Sequence, residues 1–326
     1  MRISPRFTLL ALLAAMVCIV PVQASTPVAS VDADDLMGSF SGLVELQSGR
    51  SLYVECAGTG SPTVLLVSGY RSRADVWTDD IFGLGSTQEM VFPAIAETSR
   101  VCTYDRPGTM SVLDGEQFPS RSDAIPVPRT AEDAVAELHE LRLLIGNDEP
   151  VVLVAHSLGG LLARLYTATY PEDVAGLVLV DAFSEFVEAN MPAEAFAAYA
   201  DYASVIPEIL ANYTDYETID FAEASNAMRG AAEATPLPDI PYVVLSKGLP
   251  FGLEGELPGF TIDELEFAWA AAQDQLAMLL PDTPHDTVAD ASHYVQLQRP
   301  DIVIAAVEAV IEAVRTGEPL AASPTP

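Results

Sequence analysis

Lysine is almost absent from this sequence: Lys247 is the single one among 326 residues. Chemistry through a side-chain amine therefore has one candidate. Positive charge of any kind is scarce, with 15 lysines and arginines against 47 aspartates and glutamates, for a formal charge of −32. A surface that negative repels phosphate backbones and anionic lipid headgroups, which excludes nucleic acid as a partner. No cluster of His, Cys or carboxylates has metal-ligand spacing, and no glycine-rich phosphate loop occurs. Neither a metal nor a cofactor is implied. Half of the residues are apolar and 19% are charged, so the chain is too apolar to be disordered and can bury a real core.

Long apolar runs are also missing, and stable membrane insertion is not expected. The one candidate, Phe7 to Val22, is sixteen residues without a charge, short of the roughly 18–20 that a span needs. Arg2 and Arg6 precede it and Val22-Gln23-Ala24 closes it with small residues. That is the pattern of a cleaved secretory signal peptide over residues 1–24, and it predicts a secreted, periplasmic or extracellular protein. Removing those residues leaves a charge of 13 − 47 = −34 and removes Cys18, leaving Cys56 and Cys102. An exported chain with two cysteines is a candidate for one disulfide.

Residues 25–42 are small and acidic and read as a flexible lead-in; residues 316–326 hold three prolines and read as a flexible tail. Between them, short β-branched runs alternate with helical patterns. The runs are Leu52–Cys56, Thr63–Val67, Val101–Tyr104, Val151–Ala155, Gly176–Val180, Tyr242–Leu245 and Asp286–Ala289, and the helical patterns include Thr130–Ile145, Leu158–Tyr170 and Pro300–Arg315. Runs that are apolar throughout fit strands covered on both faces. The expected fold is α/β, a mostly parallel central sheet flanked by helices. From Asp181 to Pro241 the connection holds 59 intervening residues, far beyond a minimal crossover of about a dozen. Its alanine-rich, aromatic stretches predict a helical cap inserted at about 183–239.

Val151-Val-Leu-Val-Ala155-His156-Ser157-Leu158-Gly159-Gly160 is the most informative stretch. A strand ends at Ala155 and a helix starts after Ser157, so the serine hydroxyl projects above the sheet edge from a sharp turn. The N–H of Leu158, at the helix N-terminus, points into the same space. One turn thus supplies a nucleophile and an oxyanion donor. Ala155 stands where G-x-S-x-G has its first glycine. Of the four histidines, His139 lies mid-helix, His156 sits within the elbow and is expected to face away from Ser157, and His285 and His293 flank the last strand.

Taken with Leu52–Pro62, Thr63–Tyr70, Val101–Gly108, Leu177–Ala182 and Ser292–Asp301, this stretch resembles the α/β-hydrolase fold superfamily. The likeness covers nearly the whole mature chain, residues 43–315, and is greatest to exported bacterial esterase-like members. The resemblance implies serine-hydrolase chemistry through an acyl-enzyme, without a cofactor, and does not identify the substrate; the apolar, aromatic cap points to a small-molecule carboxylic ester with a hydrophobic part. It implies Ser157 as nucleophile and His293, after the last strand, as base. Ser68-Gly69-Tyr70 stands where relatives carry His-Gly-x, so the Tyr70 N–H is the second oxyanion donor beside Leu158. The triad acid is open between Asp181, at the end of its strand, and Glu254 or Glu256 in the later loop. The superfamily's strand order also sets Cys56 opposite Cys102, which predicts their disulfide. A peptidase or lyase on the same triad, or a non-catalytic ligand-binding protein of this fold, stays open as well.

Overall fold

The computed structural model describes residues 38–81, 88–113, 116–145, 149–206, 215–253 and 257–320. The expected signal peptide, residues 1–24, lies outside the described residues. An eight-stranded sheet is built from β1 (Phe40–Glu45), β2 (Ser51–Ala57), β3 (Val64–Val67), β4 (Val101–Tyr104), β7 (Val151–His156), β8 (Val174–Val180), β9 (Tyr242–Lys247) and β10 (His285–Val288). The short strands β5 (Met110–Leu113) and β6 (Glu116–Pro119) pair separately. Spatial order is β1-β2-β4-β3-β7-β8-β9-β10. The pairs β1–β2 and β2–β4 are antiparallel; from β4–β3 onward every neighbouring pair is parallel.

Ten α-helices among the described residues surround the sheet: α1 (Asp75–Thr78), α2 (Val91–Ala96), α3 (Ala131–Ile145), α4 (Leu158–Thr169), α5 (Glu185–Asn190), α6 (Ala193–Ser204), α7 (Phe221–Ala234), α8 (Ile262–Ala277), α9 (Val295–Gln298) and α10 (Pro300–Thr316). Strand side chains alternate between two cores. Leu65, Val67, Leu153 and Ala155 face the side of α3, α4 and α8. Val64, Leu66, Val152 and Val154 face α1, α2 and α10. Both faces are covered, which is why these strands are apolar without interruption.

Two boundaries differ from expectation. The lead-in predicted to reach residue 42 gives way to β1 at Phe40, where Ser41 and Gly42 interrupt the apolar residues Phe40, Leu43 and Val44. At the other end Thr316 is still helical, and Gly317 closes α10 in the left-handed conformation at φ 70°. Helices α5, α6 and α7 occupy the long β8–β9 connection. Helix α8, between β9 and β10, was not singled out from the sequence, although Thr261 and Glu264 form a capping box at its start. In the β2–β4 register Cys56 stands opposite Cys102, and a disulfide joins them at a Cα separation of 4.1 Å.

Candidate active site

Strand β7 ends at His156 and α4 begins at Leu158, leaving one residue for the turn. Ser157 takes φ 53° and ψ −127°, a conformation that costs an L-residue energy and persists only where its surroundings impose it. Here its N–H donates to the Val180 carbonyl at 3.2 Å, and its carbonyl accepts from Gly160 at 2.8 Å and Phe183 at 2.9 Å. Helix α4 also passes very close to β3. A Cβ on Gly159 would lie 2.5 Å from the Val67 carbonyl oxygen, so no larger residue fits. Ala155, fully buried, fills the first small position of the motif.

His293 lies on the loop between β10 and α9, with its Nε2 3.0 Å from Ser157 Oγ and its Nδ1 2.6 Å from Asp181 Oδ2. A carboxylate only accepts, so Nδ1 carries the proton and Nε2 is free to accept from the serine hydroxyl. Asp181 is completely buried. Its Oδ1 accepts from the Lys247 backbone N–H at 3.1 Å and from Trp269 Nε1–H at 3.0 Å, so both oxygens are satisfied as the ionised form requires. Glu254 and Glu256, the other acids considered, lie outside the described residues.

The loop after β3 packs on the elbow: a Cβ on Gly69 would come within 3.0 Å of Ser157 Cβ and 2.9 Å of His156 Nδ1. That closeness sets the Gly69–Tyr70 peptide beside the serine. Leu158 is the first residue of α4, so its N–H has no intrahelical carbonyl to reach. A cavity of about 190 Å³ opens over Ser157 and His293, with Tyr70, Tyr199, Tyr202, Phe221, Phe251 and Trp269 among its walls. Tyr199, Tyr202 and Phe221 come from the β8–β9 insertion.

Two contributors escaped the sequence. Trp269, from α8, donates to Asp181 and meets the His293 ring edge-on at 5.4 Å; the capping box before α8 was the available signal. His156 does not turn away from the site. Its ring centroid is 4.6 Å from that of His293, and its Nε2 donates to the His293 carbonyl at 2.8 Å. Burial first, and the neighbouring His293 second, push His156 well below the usual imidazole range, so it works as a neutral donor. The remaining histidines are elsewhere: His139 stacks on Tyr170 at 3.8 Å, and His285 meets Ser246 Oγ at 2.7 Å.

A model of the alpha/beta hydrolase family matches residues 64–306. The chain belongs to that family. The matched span starts at β3 and runs into α10, so it includes Ser157, Asp181 and His293. Several solved structures share the fold at low identity. A candidate lipase from Acinetobacter baumannii is 17% identical, with a TM-score of 0.57 over 88% of this chain and 95% of that one. A membrane phospholipase A is 18% identical, with a TM-score of 0.52 over 87% of this chain and 89% of its own. E-2-(acetamidomethylene)succinate hydrolase is 18% identical, also at 0.52, over 84% and 100% respectively. In sequence, an uncharacterized protein of Schizosaccharomyces pombe is 27% identical over 150 residues, 41% of this chain. The match spans only about a quarter of that relative, 26% of its length.

Proposed function

We propose that this protein is a serine hydrolase that cleaves a carboxylic ester with a small hydrophobic part through an acyl-enzyme. The observation that carries the reading is the hydrogen-bonded chain Ser157–His293–Asp181, at 3.0 and 2.6 Å, on the strand–helix elbow. Ser157 Oγ attacks the ester carbonyl while His293 Nε2 takes its proton. Asp181 holds Nδ1–H and stabilises the imidazolium that forms. Tyr70 and Leu158 N–H groups receive the developing oxyanion. His293 then protonates the leaving alcohol, and a water, activated by the same ring, releases the acid and regenerates Ser157.

The cavity supports the substrate class. At about 190 Å³ the cavity is small, and aromatic side chains dominate its walls. A short acyl chain or a small ring fits; a long chain would have to extend outward. With a formal charge of −32, neutral or cationic esters are favoured over anionic ones. The buried disulfide supports an oxidising compartment, and with it export. Among the described residues no helix is long and apolar enough to cross a membrane.

Hydrolysis of p-nitrophenyl esters of increasing acyl length tests the reading. Acetate to hexanoate should be cleaved with falling kcat/KM beyond that, and Ser157→Ala should abolish turnover while leaving a folded protein. Full activity in a folded Ser157→Ala variant would overturn the mechanism; a wild type inert to every ester would favour the ligand-binding alternative.

A further inference from the structure

The peptide offered as the second oxyanion donor is held from beneath. Arg106, 1% exposed, donates from its two terminal nitrogens to the carbonyls of Ser68 at 2.7 Å and Gly69 at 2.6 Å. In a trans peptide the C=O and the following N–H point in opposite directions. Fastening the Gly69 carbonyl to Arg106 therefore turns the Tyr70 N–H away from Arg106, and a cation on the carbonyl polarises that N–H further.

Arg106 is itself oriented by Glu217, completely buried, whose carboxylate accepts from its Nε at 2.7 Å and from a terminal nitrogen at 3.1 Å. The same carboxylate accepts from the Arg71 N–H at 2.6 Å, fixing the next peptide of the loop. Glu217 belongs to the β8–β9 insertion, between α6 and α7. Arg71, at φ 60°, extends from the loop to the end of α6, donating to the carbonyls of Ala203, Ser204 and Val205 at 2.8–3.1 Å. Its Nε donates to the Glu217 carbonyl at 3.0 Å. Two arginines of the core and one glutamate of the insertion thus grip both peptides around Tyr70.

We infer that Glu217 is a positioning residue for the Tyr70 oxyanion donor, so that the oxyanion site is complete only while the β8–β9 insertion is seated on Arg71 and Arg106. The inference rests on the serine-hydrolase reading and adds a control to it: the insertion that supplies Tyr199, Tyr202 and Phe221 to the cavity wall also supplies, through Glu217, the hold on the donor that stabilises the transition state.

The test uses Glu217→Gln, which keeps the side-chain outline and removes its charge. Turnover of a p-nitrophenyl ester, counted per site titrated to completion with a fluorophosphonate, should fall about 10- to 100-fold, below the ~10²–10³ of a donor lost outright. KM should stay within about two-fold, because the donor acts mainly in the transition state. Affinity for a boronic acid that mimics the tetrahedral intermediate should fall by the same factor as kcat. A merely structural role would lower the thermal midpoint and the number of titratable sites, and leave turnover per site unchanged. Where Glu217→Gln does not fold, Arg71→Ala carries the test: it spares the Arg106–Glu217 pair, and turnover per site should fall about five-fold at constant KM. Wild-type turnover per site and boronate affinity in the folded variant would overturn the inference while the serine-hydrolase reading stands. A wild type that neither reacts with the fluorophosphonate nor cleaves the ester would remove that reading, and this inference with it.

Discussion

Replacing Asp181 by Asn should disable the site through one hydrogen atom. The side chain is completely buried, and its Oδ1 already accepts from two donors, the Lys247 N–H at 3.1 Å and Trp269 Nε1–H at 3.0 Å. An asparagine keeps both bonds only by placing its carbonyl oxygen there, which turns its NH₂ toward His293 Nδ1, 2.6 Å away in the wild type. Nδ1 must then accept, so the proton moves to Nε2, the nitrogen that should receive the Ser157 proton. Serine and histidine stay in place with the wrong tautomer between them. The same fault in a Ser-His-Asp triad costs about 10⁴ in turnover, equivalent to about 5.5 kcal/mol of barrier. We expect kcat to fall at least about 10²-fold with KM little changed, because the lost interaction grows only as the imidazolium forms. Initial rates on a p-nitrophenyl ester, with circular dichroism confirming the fold, measure it. Activity within three-fold of wild type would refute the reasoning. Glu254→Gln and Glu256→Gln should stay within a few-fold; a large loss at either would move the acid to the later loop.

Other consequences are open to separate assays. Trp269→Phe removes one donor from the buried Asp181 carboxylate and should cost roughly 1.5–3 kcal/mol in urea unfolding, the range for hydrogen bonds to charged groups. His156 is neutral and buried in the fold but protonates near 6.5 when unfolded. Below that pH the unfolded chain binds the extra proton, so stability is full above about 6.5 and declines as pH falls, by at most about 1.4 kcal/mol per pH unit for this group. His156→Asn should flatten that slope in urea titrations run from pH 7.5 to 5, and a slope unchanged by the substitution would count against a buried neutral ring. Reducing Cys56–Cys102, 46 residues apart, should destabilise by up to ~4 kcal/mol from chain entropy; thiol titration of the denatured, unreduced protein should find no free thiol at either position.

What could be read from the sequence was local. Ser157 announces itself because strand, turn and helix are consecutive, and the β-branched runs mark seven of the sheet's strands because both faces of each inner one are buried. β1 is the exception: Ser41 and Gly42 interrupt its apolar residues, whereas β10, the other edge strand, keeps a recognisable run. Asp181 and His293 were placed by their positions after β8 and β10, not by any feature of their own. Trp269, His156 and Glu217 depend on approaches between residues 88, 137 and 111 positions apart, and no local pattern encodes such distances. His156 misled because its neighbour dominates the motif; alternation along a strand says which face a residue leaves by, not whom it meets at the strand's end.

The most direct measurement is covalent labelling of the purified protein with a fluorophosphonate, followed by peptide mapping. An activated serine reacts and an ordinary one does not, because the reagent needs both a base and an oxyanion site. We expect one label per chain, on Ser157, lost in Ser157→Ala and strongly slowed in His293→Ala. No label, or a label on another residue while Ser157 stays free, would contradict a nucleophilic Ser157.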